Sequence, residues 1–537
     1  FATMNATNTN TNLNLSEGNL KIIPANTGDY YRSMSTLAIP TSGKWYWEVR
    51  LFVAPYVYQF GLYDVNGSTN QRARTVAASV TSGQLDYQVL LNDGTASINT
   101  QISVEGAAFG AWTSDTFGDG DVASFAYDAD NNKMWMAKNG TFLNTSGTAD
   151  PATGADPRFT PAANTEYYVG ASMPNPASGG VMFNFGQDST FTGQETATSN
   201  ADANGIGAFH HAPPSGYLAL CTANLPEPTI GANSLTQADD YFNTVLYTGN
   251  GGTQNITGFG FQPDWIWDKS RNQSGSHMLV DSSRGVGKYL RTNVTSAEVD
   301  DASILTHFIS DGVTVGDING NASSSSAVMW GWKANGGTTS SNTDGDITST
   351  VSANTDAGFS IVTWTGNGSA DQNIGHGLGA TPTFVITKNR EDSNASYDNW
   401  NVFSSVKGIN RAIYLNSNAA RQASTTFWGT DINSTTFAVG GRAGNGAYTN
   451  SNGEGYVAYM FVDIEGYSKF GQYIGNGNVD GSFVYLGFRP AWIMSKNFEA
   501  SGNWEIFDTT RDPINYSGKY LLANSSDAEG NTGTNTA

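Results

Sequence analysis

The sequence predicts an all-β fold, a string of tandem jelly-roll-like β-sandwich domains. Three observations carry that expectation. Short segments rich in β-branched and aromatic residues, such as FSIVTW, TFVITK, WNVFSS and YVAYMFV, are bounded by clusters of Gly, Asn and Ser. A frame of about 110 residues recurs in the C-terminal part, a length that suits a small domain. Helix signals are few: NTDAG at 354–358 and SNAARQA at 417–423 suit single turns only.

Composition agrees. Aromatic residues make up 12% of the 537, so there is material for cores, whereas disordered chains are poor in aromatics. Charged residues are only 14%, against a typical ~25%. The polarity comes from Asn, Thr, Ser and Gly, which favour turns and strand edges over helix interiors. The net charge of −21, without a basic run, excludes a nucleic-acid partner and attraction to anionic membranes. The single cysteine, Cys221, rules out an intrachain disulfide and a Cys-rich zinc site. No apolar run approaches the ~18 residues of a membrane-spanning helix, so no membrane insertion is expected. The opening Phe-Ala-Thr-Met-Asn is neither an initiator start nor a signal peptide, and the chain reads as a piece of a longer polypeptide.

The repeats organise everything after residue 237. Tyr247 opens YTGNGGTQNITGFGFQPDWIWDKSR, Trp364 opens WTGNGSADQNIGHGLGATPTFVITKNR, and Tyr473 opens YIGNGNVDGSFVYLGFRPAWIMSKN. Gly249, Gly366 and Gly475 stand 117 and 109 residues apart. Each copy continues into a strand, a polar turn and a second strand, beginning at His277, Trp400 and Trp504. Two copies close with AVMWGWKANGG from Ala327 and YVAYMFVDIEG from Tyr456. A third closing segment would fall near 555–569, past Ala537. About 40–50 residues of the third repeat are therefore expected to be missing, disordered or supplied by another chain. The Gly-Asn-Gly triplet reads as a tight turn that needs positive φ, and Pro263, Pro382 and Pro490 read as strand starts. Trp265 and Trp492 then begin inward-facing strands. The frame reads as scaffold rather than ligand site. The expected division is a sandwich at 1–200, a Pro-rich connector at 201–236, repeats at 237–355 and 356–466, and an incomplete repeat at 467–537.

The first 200 residues carry other marks. GKWYWEVRLFV at 43–53 alternates as a core strand should, YQFGLYDV at 58–65 is a second strand, and GVMFNFGQ at 180–187 closes the set. Between them lie GDGDV at 118–122, a turn at 128–132 and an Asn-Gly turn at 139–140. The Gly-Lys-Trp-Tyr-x-Glu-Val strand, the Gly-Asp strand, the Asp-x-Asp-Asn turn, the Asn-Gly turn and the closing Asn-Phe-Gly resemble, in that order, the SPRY family of concanavalin-like sandwiches. The resemblance covers about 170 residues. It implies a binding or scaffold domain whose ligand is set by its loops. The tract PPSGYLALCTANLPEP at 213–228, between this domain and the Gly-Asn-Gly repeats, resembles virion proteins of tailed bacteriophages, especially marine or cyanophage-like ones. In such proteins the tract sits in long fibre-like or tail-associated chains.

No Gly-x-Ser-x-Gly elbow, Walker loop, His-Glu-x-x-His or dinucleotide fingerprint is present. His210 and His211 read as a chance pair, since adjacent strand residues face opposite sides. Oxygen ligands cluster at Asp128, Asp130, Asn131 and Asn132 and at Asp344 and Asp346, where Ca2+ is the alternative to a plain turn. Glu48 is matched in the non-enzymatic SPRY family and is no evidence for catalysis. No catalytic residue, metal ligand or cofactor is assigned. Binding is expected on the loops at 65–74, 111–117 and 173–180, with Arg74, Trp112 and Asn175 as candidate contacts: an Arg fork for a carboxylate, a Trp face for sugar or apolar contact.

The expectation is therefore a non-enzymatic phage virion protein of the tail-fibre or tail-associated type, at the particle surface. Its partners would be other virion proteins, a host-surface glycan or protein, and other copies of itself, a trimer by fibre precedent. A purely structural head decoration, a bacterial surface adhesin and a polysaccharide depolymerase are the alternatives.

Overall fold

A computed structural model describes residues 1–9, 12–25, 31–52, 58–64, 87–91, 101–104, 110–111, 117–143, 149–162, 166–173, 179–231, 235–391, 398–423, 427–440, 448–473, 475, 477, 481–513 and 518–531. Its sheets are antiparallel apart from one short parallel strand, Leu218–Ala219. The helical content of the described residues is three 3₁₀ turns, at Ala6–Asn8, Ala238–Asp240 and Asn319–Asn321. Residues 355–358 form a turn, as expected. Residues 417–421 do not; the Arg421 amide there donates to the Phe498 carbonyl at 2.9 Å. The chain forms two units, one of residues 1–226 with 472–485, the other of residues 227–471 with 486–537.

The first unit is a two-sheet sandwich. Its larger sheet runs Leu13–Ser16, Lys21–Pro24, Gly180–Asn184, Lys44–Phe52, Val122–Asp128, Lys133–Lys138 and Thr141–Phe142. The smaller runs Tyr31–Ile39, Tyr167–Met173, Tyr58–Asp64, Tyr87–Leu91, Gln101–Val104 and Gly110–Ala111. Alternation along Lys44–Phe52 sends Trp45, Trp47, Val49 and Leu51 into the core between the sheets. Tyr46 points to the other face, into a smaller cluster with Trp135, Phe209, Tyr217, Ala219 and Cys221. Residues 209–221, part of the Pro-rich tract, thus cover the outer face of the larger sheet, and Leu218–Ala219 pairs with Trp45 and Tyr46. Both faces of this strand are buried, which is why it reads as a nearly unbroken aromatic run.

The second unit holds the repeats, and each repeat is built on one sheet. In the first, the closing strand Ser326–Trp332 lies between the opening strand Phe242–Thr248 and the inner strand Trp265–Ser270. The inner strand pairs on its other side with Met278–Asp281, which pairs with Lys288–Arg291. The second repeat places Gly455–Phe461 between Phe359–Thr365 and Phe384–Asn389 in the same way, followed by Asn401–Ser404 and Arg411–Tyr414. A small second sheet packs outside each: Gln254–Thr257, Gly312–Val315 and Leu305–Ile309 in the first, Gln372–Gly375 and Thr436–Val439 in the second. In the third repeat the inner strand Trp492–Lys496 pairs with Trp504–Asp508, then Lys519–Leu522 and Gly530–Asn531.

Period-two alternation splits each sheet between two cores. Ile266, Met278, Val280 and Met329 face the first repeat's own small sheet, and Val385, Ala458 and Met460 face that of the second. The intervening residues meet in one cluster drawn from all three repeats: Trp265, Trp267 and Trp330 with Ile386, Trp400 and Tyr459 and with Trp504, Ile506 and Leu521. The repeats are therefore not beads on a string. Their large sheets turn one face to a shared centre.

The Gly-Asn-Gly frame joins the two sheets of a repeat. Its last glycine has positive φ (72° at Gly251, 71° at Gly368 and 71° at Gly477), but its first does not. The first is required by space: a Cβ would meet the Ala322 carbonyl oxygen at 2.2 Å from Gly249 and the Ser451 carbonyl oxygen at 2.1 Å from Gly366. The loop is clamped by a buried asparagine that precedes the closing strand, Asn321 or Asn450, which accepts from the Asn250 amide at 3.2 Å or the Asn367 amide at 3.0 Å. At Gly475 a Cβ has nothing within 4 Å. Gly249→Ala and Gly366→Ala are each expected to cost about 1–3 kcal/mol from overpacking. Gly475→Ala should stay within about 0.5 kcal/mol. Urea unfolding of the three variants checks this.

Candidate functional site

The three residues singled out for binding, Arg74, Trp112 and Asn175, lie outside the described residues. Within the described residues several ionisable side chains are buried, and the first such centre is Glu48. It is fully buried on the outer face of the strand Lys44–Phe52. Its carboxylate accepts from the backbone amides of His210 at 2.9 Å and His211 at 2.7 Å, from Asn184 Nδ2 at 3.0 Å and from the Tyr46 hydroxyl at 3.1 Å. Burial raises its pKa, and those donors offset the rise only in part. Glu48 thus anchors the covering segment on the sheet. Glu48 also settles what holds the two histidines in place: their amides are tied to one carboxylate, with the rings 4.7 Å apart, edge to face.

The oxygen clusters considered for Ca2+ make turns. Asp128 Oδ1 accepts from the Asn131 amide and Oδ2 from Asn131 Nδ2, both at 3.0 Å, while Lys44 Nζ stands 3.4 Å from Oδ2. Asp130 caps the Gly43 amide at 2.8 Å. Asp346 binds the backbone of Asn373, and Asp344 pairs with Asn342. Among the described residues no group of three or more His, Cys, Asp or Glu side chains is placed to hold a metal ion.

The second centre is repeated at the junctions between repeats. Arg284 lies with Asp281 (2.5 Å) and Glu298 (2.6 Å) of its own repeat, and Glu298 reaches Arg390 of the second repeat at 2.6 Å. Tyr459 of the second repeat donates to Asp281 at 2.9 Å and accepts from Arg284 at 3.1 Å. The third repeat meets the first in the same way. Arg511 lies with Asp508 (2.5 Å) and Glu529 (3.0 Å), Glu529 reaches Arg271 at 2.9 Å, and Trp330 Nε1 donates to Asp508 at 3.1 Å. Burial alone would raise the Glu298 and Glu529 pKa values, yet the flanking arginines hold both below the usual carboxylate range. Between the second and third repeats the signs reverse: Arg421 pairs with Glu499 at 2.7 Å.

Equivalent backbone contacts close the set into a ring. The Glu298 amide donates to Arg390, Arg421 to Phe498, and Glu529 to Arg271. Trp400 Nε1 reaches the Arg291 carbonyl at 2.8 Å, and Trp504 Nε1 reaches that of Tyr414 at 2.9 Å. His277 takes the third equivalent place, beside the Leu522 backbone, and accepts from Trp267 Nε1 at 2.8 Å. Burial drives its pKa well below 6.5, helped by the charge of Lys269. The folded unit then binds fewer protons than the unfolded chain below about pH 6.5, and stability falls as pH drops through that value. The expected slope reaches about 1.4 kcal/mol per pH unit. His277→Asn keeps an acceptor for Trp267 and should remove that contribution, read from urea unfolding between pH 5 and 8.

The family described as Domain of unknown function (DUF7483) matches residues 237–537, more than half of the chain. The chain belongs to this family. The DUF7483 match spans all three repeats, so the ring is the family's part of the molecule. No curated protein matches the chain. Solved structures similar to it include the SPRY domain of human HERC1 (14% identity, TM-score 0.24, covering 34% of this chain and 96% of that one) and the carbohydrate-binding module CBM66 from Bacillus subtilis (6% identity, TM-score 0.21, covering 34% and 91%).

Sequence reasoning missed the junction residues of the DUF7483 ring. A signal was there: Asp-x-x-Arg stands at equivalent places, 281–284 and 508–511, each followed by an Ala-Glu pair ending at 298 or 529.

Proposed function

We propose that the chain is a structural protein of a tailed-bacteriophage virion, of the tail-fibre or tail-associated type, that attaches the particle to a glycan or protein of the host surface. The observation that carries this reading is that the buried ionisable side chains named above serve the framework. Arg284 with Asp281 and Arg511 with Asp508 are buried ion pairs at the repeat junctions, and buried Glu48 is tied to the His210 and His211 amides. Groups placed in this way stiffen a framework and do not meet a substrate. A rigid β framework with loops at its ends suits recognition rather than turnover. The phage assignment draws on the connector and repeat sequences. In this reading the protein is not an enzyme. It acts at the virion surface as a homo-oligomer, a trimer, beside other virion proteins.

The test is competition for adsorption. Purified chain is added to host bacteria before phage, and free phage are counted. Dose-dependent blocking is the expected result. Unchanged adsorption with the folded, assembled protein would remove the attachment role. A stable monomer near 57.0 kDa by light scattering would remove the trimer.

A further inference from the structure

We propose that the free edge of the inner strand Trp492–Lys496 is a docking slot for an antiparallel β-strand of the closing type, apolar and aromatic at alternate positions, on the pattern of Ser326–Trp332 and Gly455–Phe461. Three equivalent sheets differ at this strand. In the first, the inner strand is flanked by Met278–Asp281 and by the closing strand; in the second, by Asn401–Ser404 and by the closing strand. In the third, among the described residues, it is paired with Trp504–Asp508 alone. Exposure differs as well: Ile266 and Val385, each under its repeat's small second sheet, are 0% exposed, whereas Ile493 at the same position, with no such sheet among the described residues, is 44% exposed. Lys269 and Lys388 are buried, and Lys496 is not.

The neighbouring repeat shows the same vacancy from its own side. A closing strand also presents one residue to the junction. Tyr459 does so against Asp281 and Arg284, and Trp330 against Asp508 and under the Arg511 guanidinium, 5.6 Å from its ring. The equivalent junction residues for a third closing strand are Ser404 and Lys407. Lys407 is half-buried, with its Nζ 5.2 Å from the Phe498 ring, whereas Arg284 and Arg511 are buried. An occupant in the common register would set an aromatic residue opposite Met494 and over Lys407, since Trp330 stands opposite Trp267 and Tyr459 opposite Ile386. Main-chain pairing would supply affinity and the alternating side chains specificity. A second copy of the chain is a poor donor, because its own closing strands are already paired on both sides.

The probe is a synthetic peptide of residues 454–463, EGYVAYMFVD, added to the full chain. Saturable binding is expected, with amide exchange slowed in residues 491–496 and not in Phe384–Asn389, whose edges are filled. The same peptide carrying Tyr459→Pro cannot pair and should bind about tenfold more weakly or not at all. Equal binding of both peptides, or no slowing at 491–496, would overturn the proposal. So would self-association of the free chain that protects residues 491–496, which would make a second copy the occupant.

Discussion

Arg284→Met is expected to lower the stability of the repeat unit by about 3–5 kcal/mol, because it leaves Asp281 and Glu298 without their shared cation in a buried place. The side chains of Arg284 and Asp281 are both fully buried, so water cannot take over. Burial opposes the Arg284 charge, yet Asp281, Tyr459 and Glu298 together hold its pKa above the ordinary value. Arg511→Met removes the equivalent cation from Asp508 and Glu529 and should cost a similar amount. Neither loss should shrink much in high salt, since buried pairs are poorly screened. Lys407 occupies the same place in the second repeat but is half-exposed. Lys407→Met should therefore cost no more than about 1 kcal/mol. Urea unfolding at pH 7 separates the three variants, and equal, small effects would refute the assignment of Arg284 and Arg511 as junction staples.

Trp265→Ala is expected to cost about 3–5 kcal/mol, the range for emptying a buried Trp site. Trp265 is at the shared centre and stacks on Tyr459, with centroids 4.2 Å apart and planes within 19°. It also packs against Phe359 and Phe461 of the second repeat and Trp332 of its own. The cavity would open between two repeats rather than within one. Trp265→Phe, which installs the residue type found at position 384, should lose less because much of the ring volume is kept. The midpoint of thermal unfolding measures both.

The repeats and their strands were legible because period-two patterning and the Gly-Asn-Gly spacing are local properties. Trp265, Val385 and Tyr459 could be placed on strands from sequence alone. Their destination could not, since strands buried on both faces carry apolar residues at nearly every position and alternation no longer tells which core each face meets. The ring was hidden for a second reason: its contacts join residues far apart, such as Arg271 with Glu529 and Trp400 with Arg291. Glu48 shows the same limit. Its place on a core strand was clear, but its partners, the His210 and His211 amides, belong to a tract that reads as a connector. The first glycine of each frame was read for its φ, whereas close approach to a carbonyl decides it at Gly249 and Gly366. The candidate contacts Arg74, Trp112 and Asn175 lie outside the described residues.

Three repeats that share one core should gain and lose stability together. Amide hydrogen exchange on Arg284→Met, compared with the unaltered chain, tests it most directly. The shared core predicts faster exchange, by a similar free energy, in Trp265–Ser270, Phe384–Asn389 and Trp504–Asp508. Acceleration confined to Trp265–Ser270 and its neighbours in the first repeat would contradict it and make the repeats independent domains.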